Sequence, residues 1–121
     1  MPKPPLEFFG PDNVPWRPVA GSATSGAGGP GIEEKILSRD PETGDLTWLL
    51  RFAAGVETTD TIRHDFWEEV FIVAGSLTDL GLQRTFNAGM YACRPPGMPH
   101  GPYRSTSGAL LFETRYRDRR A

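Results

Sequence analysis

The sequence predicts an all-β domain, folded as a sandwich or a barrel. Short apolar runs recur at spacings of about 8–12 residues, the signature of many short strands. Gly 14 and Pro 12 supply about a fifth of the 121 residues and fall between those runs, as turns require. No stretch repeats its apolar residues with the period of an amphipathic helix. A chain of this length builds one core. Lys+Arg 13 against Asp+Glu 15 leaves a net charge of -2, without the basic stripe of a nucleic-acid-binding protein. A single cysteine, Cys93, allows no internal disulfide and suits a reducing compartment. No apolar run approaches the ~18 residues of a membrane span, and Met1-Pro2-Lys3-Pro4-Pro5 leads into no signal-type stretch. The expectation is a cytoplasmic protein with neither nucleic-acid nor membrane partners.

Residues 1–31 read as an irregular N-terminal arm and residues 32–121 as the single barrel domain. Within the arm, Leu6-Glu7-Phe8-Phe9 and Val14-Pro15-Trp16 are short pieces able to dock in extended form. Residues 21–31 are Gly- and Ser-rich and read as a loop. Gly26, Gly28 and Gly31 match a dinucleotide-binding spacing, but Pro30 and the strand-like run after it deny the helix such a site needs. Strands are then expected at residues 32–38 and 46–53, parted by the turn Asp40-Pro41-Glu42-Thr43-Gly44-Asp45. Alternation in the second puts Trp48, Leu50 and Phe52 on one face, with Leu49 and Arg51 on the other. β-Branched residues mark a strand at 58–64, and the most apolar run marks one at 67–73. Further strands are expected at 76–82, 89–94, 101–105 and 109–117. Cys93 reads as a small buried hydrophobe, Arg94 as solvated, and the basic tail through Arg120 as a solvated terminus.

The chemistry concentrates between the only two histidines. His64 begins the run His64-Asp65-Phe66-Trp67-Glu68-Glu69-Val70-Phe71-Ile72-Val73-Ala74-Gly75, and His100 ends the run that starts at Gly89. An antiparallel fold that brings these ends together would join two imidazoles and a carboxylate. Gly89, Pro95, Gly97 and His100 reproduce in full the second motif of the cupin superfamily, and His64, Glu68 and Gly75 match the second half of its first motif. Over residues 46–117 the chain resembles a cupin, which implies a jelly-roll barrel, a double-stranded β-helix. Two positions depart from the pattern: Ile62 stands where the family's first histidine falls, and Arg104 where it carries an asparagine.

The resemblance implies a divalent ion held by His64, Glu68 and His100, with these three as the catalytic residues. Two imidazoles and one carboxylate with open positions suit Fe(II) first, and Mn, Ni, Zn or Co as alternatives. Asp60 is a replacement carboxylate on the same side as Ile62 and His64. Arg104, Trp67 and Tyr91 are the expected substrate-binding residues; Tyr91, Arg51 and Glu113 are candidates to orient the ligands. The implied activity is that of a dioxygenase or related lyase on a small oxygenated organic substrate. Two alternatives share the barrel: a metal-independent isomerase or cyclase using histidine acid–base chemistry, and a non-catalytic ligand-binding or metal-sensing module. A homodimer, with the arm exchanged between copies, is also implied.

Overall fold

A computed structural model describes residues 3–19, 24–25 and 31–117. The strands are β1 (Arg17–Pro18), β2 (Thr24–Ser25), β3 (Ile32–Arg39), β4 (Leu46–Phe52), β5 (Val56–Thr58), β6 (Trp67–Asp79), β7 (Arg84–Asn87), β8 (Tyr91–Arg94), β9 (Tyr103–Ser105) and β10 (Ala109–Tyr116). All pairings are antiparallel. One sheet runs β1-β3-β4-β10-β6-β8, and the other contains β2, β5, β9, β7 and the far end of β6. The two sheets curl over a common core as a jelly roll, the fold expected. Apart from Thr24, Ser25 and Gly31, the loop expected at 21–31 lies outside the described residues, as do residues 118–120 of the tail.

The central strands β4, β6 and β10 bury alternate residues over much of their length, because successive side chains leave a strand on opposite faces. On β4, Trp48, Leu50 and Phe52 are buried, while Arg51 is exposed. Ala109, Leu111 and Glu113 of β10 face the same interior, as do Glu68, Val70 and Ile72 of β6. Burial of each large apolar side chain contributes roughly 1.5–3 kcal/mol, so this layered interior is the main source of stability.

The expected strands at 67–73 and 76–82 are one 13-residue strand, β6, that serves both sheets. Its first part pairs with β8 and β10, and Ser76 to Asp79 pair with β7. A register shift opposite Leu110 and Leu111 and a left-handed Gly75 (φ 79) turn the strand between the sheets. The inward set changes there from Ile72 to Leu77 and Asp79. The strand expected at 58–64 ends instead at Thr58, and beyond it only an isolated bridge between Ile62 and His100 remains. β-Branched content favoured a strand, but no neighbouring strand continues the ladder. β7 was not expected at all.

The arm contributes backbone pairing: Arg17 and Pro18 pair with Glu34 and Glu33, and Thr24 and Ser25 with Thr58 and Glu57. Next to it, Trp16 lies under two cations, the Arg51 guanidinium at 4.1 Å and Lys35 Nζ at 4.8 Å from its ring centre. Lys35 Nζ also donates to the Pro11 carbonyl at 2.9 Å. Arg51 is further tied to Glu33 at 2.6 Å on the outer surface, so it does not orient the candidate ligands.

Candidate metal centre

The two histidines lie on loops that the backbone ties together. Ile62 N–H donates to the His100 carbonyl at 2.7 Å, and His100 N–H returns the bond to Ile62 at 3.0 Å. Gly97 N–H donates to the His64 carbonyl at 2.8 Å. Gly97 has φ 85, a conformation that costs glycine little, and so can close this turn. Behind His100, buried Asp79 accepts from Gly101 N–H at 3.1 Å and from Leu82 N–H at 3.0 Å. The end of β6 thus anchors the loop that carries His100.

His64, Glu68 and His100 meet at the mouth of the barrel, each offering one donor atom within 4.8 Å of the others. His64 Nε2 is 3.5 Å from Glu68 Oε2. The His64 ring stacks on Phe66 with centroids 4.5 Å apart, and the His100 ring centre is 5.1 Å away. His100 Nδ1 is 2.6 Å from the Tyr103 hydroxyl. Two buried atoms of the cluster, Glu68 Oε2 and His100 Nε2, have no hydrogen-bond partner. Burial lowers the basicity of both imidazoles, and takes His100 to about 4 with help from the Arg94 charge. At neutral pH both rings are therefore uncharged and carry a lone pair, the form a metal requires.

Strand register adds residues that spacing along the chain does not reveal. Glu68 on β6 is directly opposite Arg94 on β8 and Arg115 on β10, so the three form a row across the sheet. Arg94 Nη1 donates to Glu68 Oε1 at 2.9 Å. Arg115 Nε is 3.3 Å from Glu68 Oε2, close enough to attract it, though not aligned as a hydrogen bond. Arg94 is therefore part of the site and not solvated: with Tyr91 and Cys93 facing out, alternation turns Arg94 in. Cys93 is correspondingly exposed, not buried.

Glu113 is 4 % exposed and accepts from Trp48 Nε1 at 3.0 Å. Burial, reinforced by the Glu68 charge, pushes its carboxyl up to about 7. A folded-state pKa above the usual 4.5 means that the protonated form stabilises the fold; that contribution is complete below about 4.5 and is lost as pH rises through about 7. Glu113→Gln retains an oxygen for Trp48 and removes the titration. Its stability relative to the wild type is expected to rise by up to about 3 kcal/mol between about pH 5 and about pH 8. Denaturant titrations at both pH values check this, and an unchanged difference would assign the titration elsewhere.

The cluster opens into a cavity of about 500 Å³ lined by Trp48, Leu50, Phe52, Val70 and Leu111 among others. Asp60 and Ile62 also line it, but Asp60 is not in the donor group. The expected substrate-binding residues lie elsewhere. Arg104 is exposed between inward Tyr103 and Ser105. Trp67 is next to inward Glu68, so it points out and stacks parallel to Tyr116 at 6.4 Å. Tyr91 is on the outer face, where it donates to Glu69, as Tyr116 does at 2.7 Å. Phe66, Tyr103, Arg94 and Arg115 surround the donors instead.

A jelly-roll barrel with two histidines and a glutamate gathered at its mouth defines the cupin class. The chain belongs to the ChrR cupin-like domain family, which matches it over residues 8–116. Solved structures with the same fold include an acetylacetone dioxygenase from Acinetobacter johnsonii, 21% identical with a TM-score of 0.70, covering 92% of this chain and 72% of that one. An RmlC-like cupin from Shewanella frigidimarina is 20% identical with a TM-score of 0.70, covering 98% of this chain and 96% of that one. KdgF from a Halomonas species is 19% identical with a TM-score of 0.70, covering 95% and 97% respectively. No curated protein matches the sequence.

Proposed function

We propose that this chain is a metal-dependent enzyme acting on a small oxygenated organic molecule, with one divalent ion held by His64, Glu68 and His100. The observation that supports this reading is the pair of buried atoms outside any hydrogen bond, Glu68 Oε2 and His100 Nε2, in a group of three donors. A buried polar atom without a partner costs about 1–3 kcal/mol, which an ion between the donors would offset. Two neutral imidazoles and one carboxylate fit Fe(II), and also Mn, Ni, Zn or Co. The likeness to an acetylacetone dioxygenase supports an oxygenase. When bound, the ion would supply Lewis acidity and, as iron, dioxygen chemistry.

The chain's own residues do the positioning. A proton on His100 Nδ1, donated to the Tyr103 hydroxyl, leaves the Nε2 lone pair facing the site. Arg94 occupies Glu68 Oε1 and leaves Oε2 available. The apolar cavity wall keeps water from a bound substrate. Tag-free protein is expected to carry about one equivalent of metal per chain by elemental mass spectrometry, and in the iron form to consume dioxygen with a β-dicarbonyl compound. Protein that takes up no ion after supplementation would sink the reading.

One observation favours a metal-independent isomerase or cyclase as the second reading. Glu68 already has two guanidiniums beside it, and Ile62 offers no donor, which together weaken a cation site. The neutral imidazoles would then act as general bases. Turnover that survives exhaustive chelation would select this alternative.

A further inference from the structure

The cavity holds a feature that metal binding does not use. Among the described residues, the Arg115 side chain donates no hydrogen bond, and its buried Nε has no partner. Its guanidinium lies 4.2 Å from the Trp48 ring centre and 5.1 Å from that of Phe66, so two aromatic rings fix its position. The nearest carboxylate oxygens are Glu68 Oε2 at 3.3 Å and Glu113 Oε1 at 3.9 Å. A planar cation held by ring contacts, ion-paired with Glu68 but with no N–H in a hydrogen bond, can still offer a forked bond to an anionic oxygen pair. Arg94 stands across Glu68 from it, with one N–H bonded to that carboxylate.

The local charge points the same way. Two guanidiniums flank Glu68, with Arg94 Nη1 at 2.9 Å and Arg115 Nε at 3.3 Å from its oxygens. A divalent ion would add further positive charge beside them. An anionic ligand would balance the site.

The geometry points to a substrate that carries a carboxylate, gripped by Arg115 with Arg94 as the second cation, while its other oxygenated end reaches the His64, Glu68 and His100 donors. This rests on the metal-centre reading only for the fate of that other end. Glu68 Oε2 is 3.3 Å from Arg115 and 3.5 Å from His64, so the two ends of the substrate are only a few atoms apart. A short oxo acid has that spacing.

Calorimetric titration of the full chain, once stripped of metal and once loaded with zinc, tests the assignment. Acetoacetate is compared with acetylacetone, which has a methyl ketone in place of the carboxylate; benzoate is compared with benzamide. At least one acid is expected to bind ten times more tightly than its neutral partner, in the stripped protein as well. In the stripped protein, Arg115→Gln and Arg94→Gln are each expected to weaken that acid at least tenfold more than its neutral partner. Arg115→Lys, which keeps the charge without the fork, is expected to recover only part of the loss. Equal affinities for acid and neutral partner, or no binding of either acid, would overturn the assignment; so would equal weakening of both partners in folded variants. The comparison on the unmodified chain decides the matter even where a variant does not fold. Metal content of the same samples is read separately: acid preference without any metal uptake would remove the metal centre and leave the carboxylate site standing.

Discussion

His100→Ala is expected to reduce affinity for a divalent ion by well over a hundredfold while the barrel stays folded. The imidazole is one of three donors grouped among the described residues, and Ile62 can supply no replacement. The fold should survive because the loop is held by backbone bonds to Ile62 and by Asp79 on Gly101 N–H, none of which needs the imidazole. Tyr103→Phe provides the graded comparison. It removes the hydroxyl 2.6 Å from Nδ1 but keeps the ring, and loss of such an orienting partner typically costs 10–100-fold in affinity. Metal titrations against a competing chelator measure both variants. Equal affinity in His100→Ala and the wild type would place any ion elsewhere. The metal-free protein supplies an independent signal. Because burial holds His100 at about 4, below its usual 6.5, the neutral ring's contribution to stability is present above about 6.5 and is lost as pH falls through about 4. His100→Ala should therefore be less sensitive to acid than the unsubstituted chain.

Gly75→Ala is expected to destabilise the protein by about 3 kcal/mol or more, combining left-handed strain with an overpacked backbone contact. Gly75 has φ 79, and a Cβ there would collide with the Gly108 carbonyl oxygen and stand 2.9 Å from Ala109 Cα. Neither obstacle is the end of a flexible side chain, so relief requires β6 and β10 to separate where β6 passes between sheets. Gly55→Ala separates the two contributions. Its φ is 85, but its Cβ would meet nothing within 4 Å, so only the roughly 1–2 kcal/mol of left-handed strain is expected. Denaturant unfolding of both variants provides the measurement, and equal losses would show that the close approach to β10 is not limiting.

The sequence carried enough to read the barrel and the donor group, for identifiable reasons. Alternation in β4 correctly separated Trp48, Leu50 and Phe52 from Arg51, since a half-buried strand must sort its residues by face. The spacing from Gly89 to His100 and the offset from His64 to Glu68 led to residues that the fold brings within reach of one another. The arginines were harder. Arg94 and Arg115 meet Glu68 only through the register of β8, β6 and β10, and strand register is not local in sequence. Parity did hold part of that information. Once Glu68 is placed inside, Trp67 must face out; once Tyr91 faces out, Arg94 faces in. The same rule turns Arg104 outward beside Tyr103. The turn of β6 at Gly75 was invisible for the opposite reason: a glycine between two apolar runs looks like the end of a strand, and here it allows one strand to continue into a second sheet.

The continuity of β6 also sets the scale of the centre. Glu68 lies near one end of the strand, and Asp79 at the other end fixes the backbone beside His100. One strand, turned at Gly75, therefore carries both the carboxylate and the anchor of the His100 loop, and so sets the spacing between them. Side chains lining the cavity can change to accommodate a different molecule without altering that dimension. In this architecture, the distance between reactive groups is inherited from a length of backbone, while selectivity is left to the walls.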